Sequence, residues 1–327
     1  MYESFYGLHE RPFDLTPNPR FLFLTDVQRE VLSTLRYGLS GPRGLTLLLG
    51  EAGTGKTTLV RTVLAEISGG QAECVLISNP TLTRNEFYEA LAEGFGFPAE
   101  TAGSKTQFLA VLRRHLEERH AAGQLTALVL DEAQSLPYEL LEEVRLLSNM
   151  ESSTTKLLNV VLAGQPELAD RFNEPRLRQM KQRIALRCTL RAFNGSETAA
   201  YIAGRLRIAG GSPVEIFTRK AVESVFAASL GVPRIINVIC ENALIGGFAA
   251  QLRPIPERIV DDVIADFDLG PAATVEDAPP LVPPVLDTPA RVAVAEPVPQ
   301  AVAAAADNTD HGSLFSFFGR KKRFSFF

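Results

Sequence analysis

A chain of 327 residues, 46% apolar and 22% charged, holds enough apolar matter for a buried core and about two domains. Its formal net charge of -5 excludes a whole-protein case for nucleic-acid binding, although a local basic face stays open. The three cysteines, Cys74, Cys188 and Cys240, are widely spaced and odd in number, which excludes a disulfide scaffold and a metal-spaced pair and fits a reducing compartment.

Residues 1–4, MYES, lack the basic start and apolar core of a signal peptide. No uninterrupted apolar run reaches the roughly 18–20 residues of a membrane-spanning helix; the richest stretch, 243–252, reads as a core helix. A cytoplasmic protein is the expectation. Residues 5–23, FYGLHERPFDLTPNPRFLF, are aromatic and proline-rich without a clean period. Such aromatics need somewhere to pack, so residues 1–25 are expected to form an arm lying on the core of the next domain. Asp26 can cap a helix over 27–39, where Val27, Val31, Leu32, Leu35 and Leu39 share a face.

The apolar run 45–49 predicts a first buried strand, followed by GEAGTGKT at 50–57 and a helix to residue 67. This matches the phosphate-cradling pattern G-x-x-x-x-G-K-[ST] at every fixed position. Gly50, Gly53 and Gly55 allow positive φ, so that successive N–H groups can point at one anion. The following helix aims its positive end at the same place. Gly50, Glu51, Ala52, Gly53, Thr54, Gly55, Lys56, Thr57 and Thr58 would form the ATP cradle. Lys56 would reach the β- and γ-phosphates and Thr57 would place its hydroxyl on Mg²⁺.

Further strands are predicted over 73–78, 127–130, 157–163 and 184–190, with helices over 84–95, 106–120 and 137–149. Strands alternating with helices predict a parallel α/β sheet of five strands covered on both faces, spanning 26–191. The third strand ends in Asp131 and Glu132. Beside a phosphate loop, Asp131 would hold Mg²⁺ and Glu132 would act as general base toward water; alone, the pair could simply cap the next helix. Gln165 follows the fourth strand, where a parallel sheet gathers functional side chains, although a turn glutamine explains it too. Residues 171–191 are dense in arginine. Arg183, and after it Arg178, are the candidates for an arginine finger offered to a neighbouring subunit, against the plainer reading of a solvated face.

After about residue 192 strands give way to helices over 197–209, 219–230, 233–251 and 256–267, each bounded by Gly or Pro. Residues 192–269 thus read as a small all-helical lid, and Arg234 at a helix start can reach back to the phosphates. Residues 270–308 are rich in Pro, Ala and Val and read as a disordered linker. Residues 309–327 carry FSFF twice around Arg320, Lys321, Lys322 and Arg323. Three readings of 313–327 stay open: peripheral contact with the inner membrane, docking on a partner protein, or an inert end.

The ordered set FYGLHERPFDLTPNPRFLF, GEAGTGKTTL, LVLDEAQ, VVLAGQPEL, QRI, ETAAYIAGRL and GVPRIINVIC resembles the ExeA-type AAA+ ATPases over about residues 1–269. The resemblance implies a five-stranded sheet with a helical lid, ATP and Mg²⁺ between them, and work as a homo-oligomer. It assigns Walker A to 50–57, Walker B to Asp131 and Glu132, sensor 1 to Gln165, a finger to Arg183 and sensor 2 to Arg234. It implies service to an envelope secretion, pilus or exopolysaccharide machine. Secretion-type members usually continue into a membrane helix and a peptidoglycan-binding region. Neither is evident here, which turns the expectation toward a tethered cytoplasmic motor. The alternative is a DNA-associated AAA+ regulator of the transposition-ATPase type, and a slow nucleotide-dependent scaffold is a third.

Overall fold

The five strands are β1 (Leu45–Gly50), β2 (Ala72–Ile77), β3 (Leu125–Leu130), β4 (Asn159–Gly164) and β5 (Ile184–Leu190), all parallel, in the order β2-β3-β4-β1-β5. The computed structural model describes residues 1–269, apart from 17, 42, 68–71 and 79–80. The stretches 270–308 and 309–327 expected to be linker and tail lie outside the described residues.

Every residue of β1 and β4 is buried, as central parallel strands covered on both faces require. The two-residue period of β1 sorts its side chains between two layers. Leu45, Leu47 and Leu49 face a cluster with Phe87, Phe108, Leu112 and Val144, while Leu48 faces one with Leu35, Leu39, Val60 and Val63. Five helices supply these layers: α1 (Asp26–Leu39), α2 (Lys56–Ile67), α3 (Arg84–Gly94), α4 (Lys105–Ala121) and α5 (Tyr138–Leu147). The chain leaves β1, crosses to β2 two strands beyond β4, and returns through β3 and β4. This routing opens a crevice at the carboxyl end of β1.

Two details differ from the sequence reading. Helix α1 is capped by Thr25, whose side chain accepts from the Gln28 N–H while Gln28 reaches back to the Thr25 N–H. Asp26 occupies the first helical position, where a carboxylate suits the dipole without capping. Strand β4 starts at Asn159 because residues 157–158 still belong to the preceding turn, where Leu157 N–H donates to Met150 O and Glu151 bridges Lys156.

The helical unit that follows comprises α6 (Gly195–Ile208), α7 (Arg219–Ser229), α8 (Pro233–Ala249) and α9 (Glu257–Asp266). Asn194 and Glu197 form a capping box at the start of α6. Leu206, Val225, Ile236, Ile239, Leu244 and Val260 are its buried centre.

The N-terminal arm does not lie mainly on the ATPase core, as expected, but on this helical unit. Tyr2, Tyr6, Leu8, Phe13 and Phe21 join the same cluster, and among the described apolar residues of the arm only Leu22 and Leu24 pack against the sheet layer. Tyr2 Oη donates to Glu241 Oε1 at 2.7 Å, Tyr6 Oη to Leu252 O at 3.2 Å, and His9 N–H to Ala209 O at 2.8 Å. The physical reason is in α8, whose sequence IINVICENALIGGFA is apolar on more faces than three neighbouring helices can cover. The arm's aromatics take the remainder. No helix among the described residues is long and apolar enough to cross a membrane.

Candidate active site

Strand β1 runs out at Gly50 and α2 begins at Lys56, leaving a short loop over the crevice. Gly53 and Gly55 sit at φ 77° and 99°, the left-handed region that favours glycine. Gly50 has no positive φ, contrary to expectation; what it provides is room, since a Cβ there would stand 2.9 Å from Leu190 O. Lys56 is 4% exposed, and its ammonium donates to Gly50 O at 2.7 Å and Glu51 O at 3.1 Å. Burial pushes its pKa below the ordinary lysine value, against the opposing pull of Glu132 and Asp131. Glu51 and Ala52 form the exposed crest of the loop, outside the cavity wall.

Strand β3 delivers the acidic pair to the same place. Thr57 Oγ1 donates to Asp131 Oδ2 at 2.5 Å, and Asp131 Oδ1 accepts the Glu132 N–H at 2.9 Å. A hydroxyl and a carboxylate oxygen in direct contact are the hard donors Mg²⁺ takes, with phosphate oxygens and water completing its shell. Among the described residues no cluster of three His, Cys, Asp or Glu could hold a metal by itself. Glu132 has φ 51°, and its Oε2 accepts from Gln134 Nε2 at 2.6 Å.

A cavity of about 400 Å³ opens above the loop. Its floor includes Gly53, Thr54, Gly55, Lys56, Thr57, Thr58 and Glu132. Arg234, at the start of α8, lies on its rim, and its N–H donates to Gly53 O at 3.2 Å. The far wall comes from residues that sequence reasoning did not single out: Phe21, Leu22 and Phe23 of the arm, and Phe193, Tyr201, Arg205 and Asn237 of the helical unit. Arg205 Nη1 donates to the Tyr201 hydroxyl at 2.7 Å, which donates to Asn237 Oδ1 at 2.9 Å. The Arg205 guanidinium also lies 4.8 Å above the Phe21 ring and donates to Pro12 O. Phosphates suit the cationic loop end, and a flat aromatic base suits the ring-lined end. The aromatic density of the arm was a visible signal, although nothing in its spacing tells which cavity it would wall.

Two further sequence candidates stand apart from the cavity. Gln165 lies just beyond the end of β4, outside the cavity wall, and its N–H donates to Gln134 Oε1 at 3.0 Å. Arg183 is exposed immediately before β5. Ile184 pairs with Leu45 and Leu190 with Gly50, so Arg183 stands at the opposite end of the sheet from the loop. At about 3.3 Å per residue that is roughly 20 Å, beyond the reach of an arginine side chain. Arg178 is likewise exposed. The structure thus gathers Lys56, Thr57, Asp131, Glu132 and Arg234, and leaves Arg183 free of its own site.

A parallel sheet in this order, a phosphate loop after β1, an acidic pair after β3 and a helical unit seated on the loop define a P-loop ATPase of the AAA class. Residues 39–172 match the family described as AAA domain. Over 249 residues the chain is 41% identical to general secretion pathway protein A of Aeromonas hydrophila, covering 76% of this chain and 45% of that protein. The chain is similar in sequence to the ExeA-type AAA ATPases and spans about half the length of that curated relative. Among solved structures, CDC6P from Pyrobaculum aerophilum superposes with a TM-score of 0.62 at 18% identity, over 78% of this chain and 70% of that one. The Aeropyrum pernix ORC2 protein in its ADPNP-ADP complexes gives 0.60 at 16% identity, over 79% and 71%. A Walker-type ATPase of Pyrococcus abyssi gives 0.55 at 20% identity, over 78% and 76%. At these identities they attest the fold alone.

Proposed function

We propose that this chain binds Mg-ATP in the cavity above residues 50–57 and hydrolyses it as a homo-oligomer. The hydrolysis drives assembly or regulation of an envelope secretion, pilus or exopolysaccharide machine from the cytoplasmic side of the inner membrane. The observation that carries the reading is the contact of Thr57 with Asp131 directly beside Glu132 and Lys56, under a helix start bearing Arg234. Identity of 41% to a protein named for the general secretion pathway supports the envelope role.

In this reading Lys56 and Arg234 hold the phosphate oxygens from two sides. Thr57 and Asp131 would hold Mg²⁺, which when bound neutralises charge on the transferring phosphoryl group. Glu132 takes a proton from the attacking water, and Gln165, which lies outside the cavity wall, meets the γ-phosphate end only when its side chain turns inward. Arg183, too distant from its own loop, supplies its charge to the site of a neighbouring subunit. Residues 313–327 give the assembly a contact with the inner membrane surface. The test is ATP turnover across a range of protein concentrations, for the intact chain and for Glu132→Gln, followed by capture of bound proteins on the ATP-loaded variant. Turnover per chain should rise with concentration and collapse in the variant. Concentration-independent turnover would remove the trans arginine from the account.

A further inference from the structure

Beyond Glu132 the backbone makes a single 3₁₀ turn, Ala133–Ser135, that returns Gln134 toward the end of β4. Three hydrogen bonds then fix this glutamine. Its carbonyl accepts from Arg171 Nη1 at 2.5 Å, and Arg171 itself lies 4.8 Å above the Tyr138 ring. Its side-chain oxygen accepts the Gln165 N–H at 3.0 Å, and its side-chain nitrogen donates to Glu132 Oε2 at 2.6 Å. The amide can face only one way. A backbone N–H only donates and an ionised carboxylate only accepts, so the oxygen must meet Gln165 and the nitrogen must meet Glu132. Gly164 makes the space: a Cβ there would stand 3.1 Å from the side-chain amide oxygen and 3.3 Å from the backbone nitrogen of Gln134.

One oxygen of Glu132 is therefore held, while Oε1 accepts no hydrogen bond from a described residue. Glu132 is itself in the left-handed region at φ 51°, a conformation costly for a side chain of this kind and sustained by the surrounding bonds.

We propose that Gln134 is a positioning residue for hydrolysis: it ties Glu132 Oε2 to the end of β4 and so aims Oε1 at the attacking water. This inference rests on the reading of Glu132 as the base. It also makes the carboxylate's aim depend on where the Gln165 N–H stands, because one rigid amide joins the two.

Gln134→Met keeps the length of the side chain and removes both of its bonds. Its kcat should fall about 10- to 100-fold, the scale of a misaimed catalytic group, with KM for Mg-ATP within about twofold of the intact chain. Gln134→Glu keeps an acceptor for the Gln165 N–H but sets a like charge against Glu132. Its turnover should be lower still at neutral pH. Part should return as the pH falls into the carboxylate range, where a proton shared between the two acids restores the bond. That pH-dependent recovery is a readout a purely structural role would not move, and it decides the matter if Gln134→Met fails to fold. Unchanged or raised kcat in Gln134→Met, or a flat pH profile in Gln134→Glu, would overturn the inference. Glu132→Gln run alongside separates the two levels. If that variant turns over ATP normally, the assignment of Glu132 fails; if it collapses while Gln134→Met does not, only the role of Gln134 fails.

Discussion

The N–H of Arg234 donates to the carbonyl oxygen of Gly53 at 3.2 Å, so the first turn of α8 is built directly onto the phosphate loop. The two residues are also in van der Waals register. A Cβ at position 53 would stand 2.8 Å from the Arg234 Cβ and 3.1 Å from Val232 Cγ1. Helical unit and loop therefore meet through one backbone hydrogen bond and through the Arg234 and Val232 side chains packed on the bare Gly53 backbone.

Gly53→Ala is expected to spoil this contact twice, through the left-handed φ of 77° and through the collision with Arg234. The left-handed conformation alone costs roughly 1–2 kcal/mol for a non-glycine residue. Nucleotide affinity should fall by about tenfold or more while the far core, around Phe87 and Phe108, stays folded. Equilibrium titration with a fluorescent ATP analogue, beside a thermal melt, measures both. Unchanged affinity would mean the loop and α8 part when nucleotide binds.

The pH dependence of binding should follow Lys56. Burial depresses its pKa, so in the alkaline range the native state binds fewer protons at this site than the unfolded chain does. The site's contribution to stability therefore rises as pH climbs through the depressed folded-state value and levels off once the unfolded chain's lysine titrates as well. Phosphate binding needs the ammonium, so affinity should decline at a pH below the ordinary lysine range, with proton uptake on binding there. Calorimetric titration in buffers of different ionisation enthalpy reads that uptake. Lys56→Arg should abolish the proton uptake, because guanidinium does not deprotonate.

Tyr6 tests where the arm belongs. Its side chain is fully buried against the helical unit and donates to Leu252 O. Tyr6→Ala should cost about 3–5 kcal/mol, as aromatic truncations in a core do. Faster amide exchange should appear in α8 before it appears in β1 or β4. Tyr6→Phe removes only the hydrogen bond and should cost about 1 kcal/mol. Loosening confined to the sheet would place the arm elsewhere.

The five strands were legible because 45–50, 125–130 and 159–164 are nearly unbroken apolar runs, the mark of strands covered on both faces. The loop was legible because phosphate binding restricts residue type at fixed spacing. Strand order was not, since periodicity says which faces are apolar and nothing about which strands are neighbours. Thr25 and Gln28 carry a capping-box spacing, yet the adjacent Asp26 competes for the same role on composition alone. The arm's destination depended on how much of α8 its neighbours leave uncovered, a property of packing. Gln134 is visible in LVLDEAQ, but its bond to a backbone 31 residues further on exists only once β3 and β4 lie side by side. Tyr201, Arg205 and Asn237 meet at the cavity for the same reason.

The tail 309–327 gives the membrane proposal a clean test. Its four consecutive basic residues, Arg320 to Arg323, should each contribute about 1 kcal/mol at an anionic surface. The intact chain should float with anionic liposomes and a chain ending at 308 should not. Equal flotation of the two would leave the tail without that role.

The most direct measurement mixes two disabled chains. Glu132→Gln lacks the proposed base but keeps Arg183, and Arg183→Ala keeps the base but lacks the arginine. If each site is completed by a neighbour, neither chain alone should turn over ATP at more than a small fraction of the intact rate. An equimolar mixture should recover activity, because some interfaces then pair an intact Glu132 with an intact Arg183. A mixture that co-assembles yet stays as inactive as its parts would contradict a site shared between subunits.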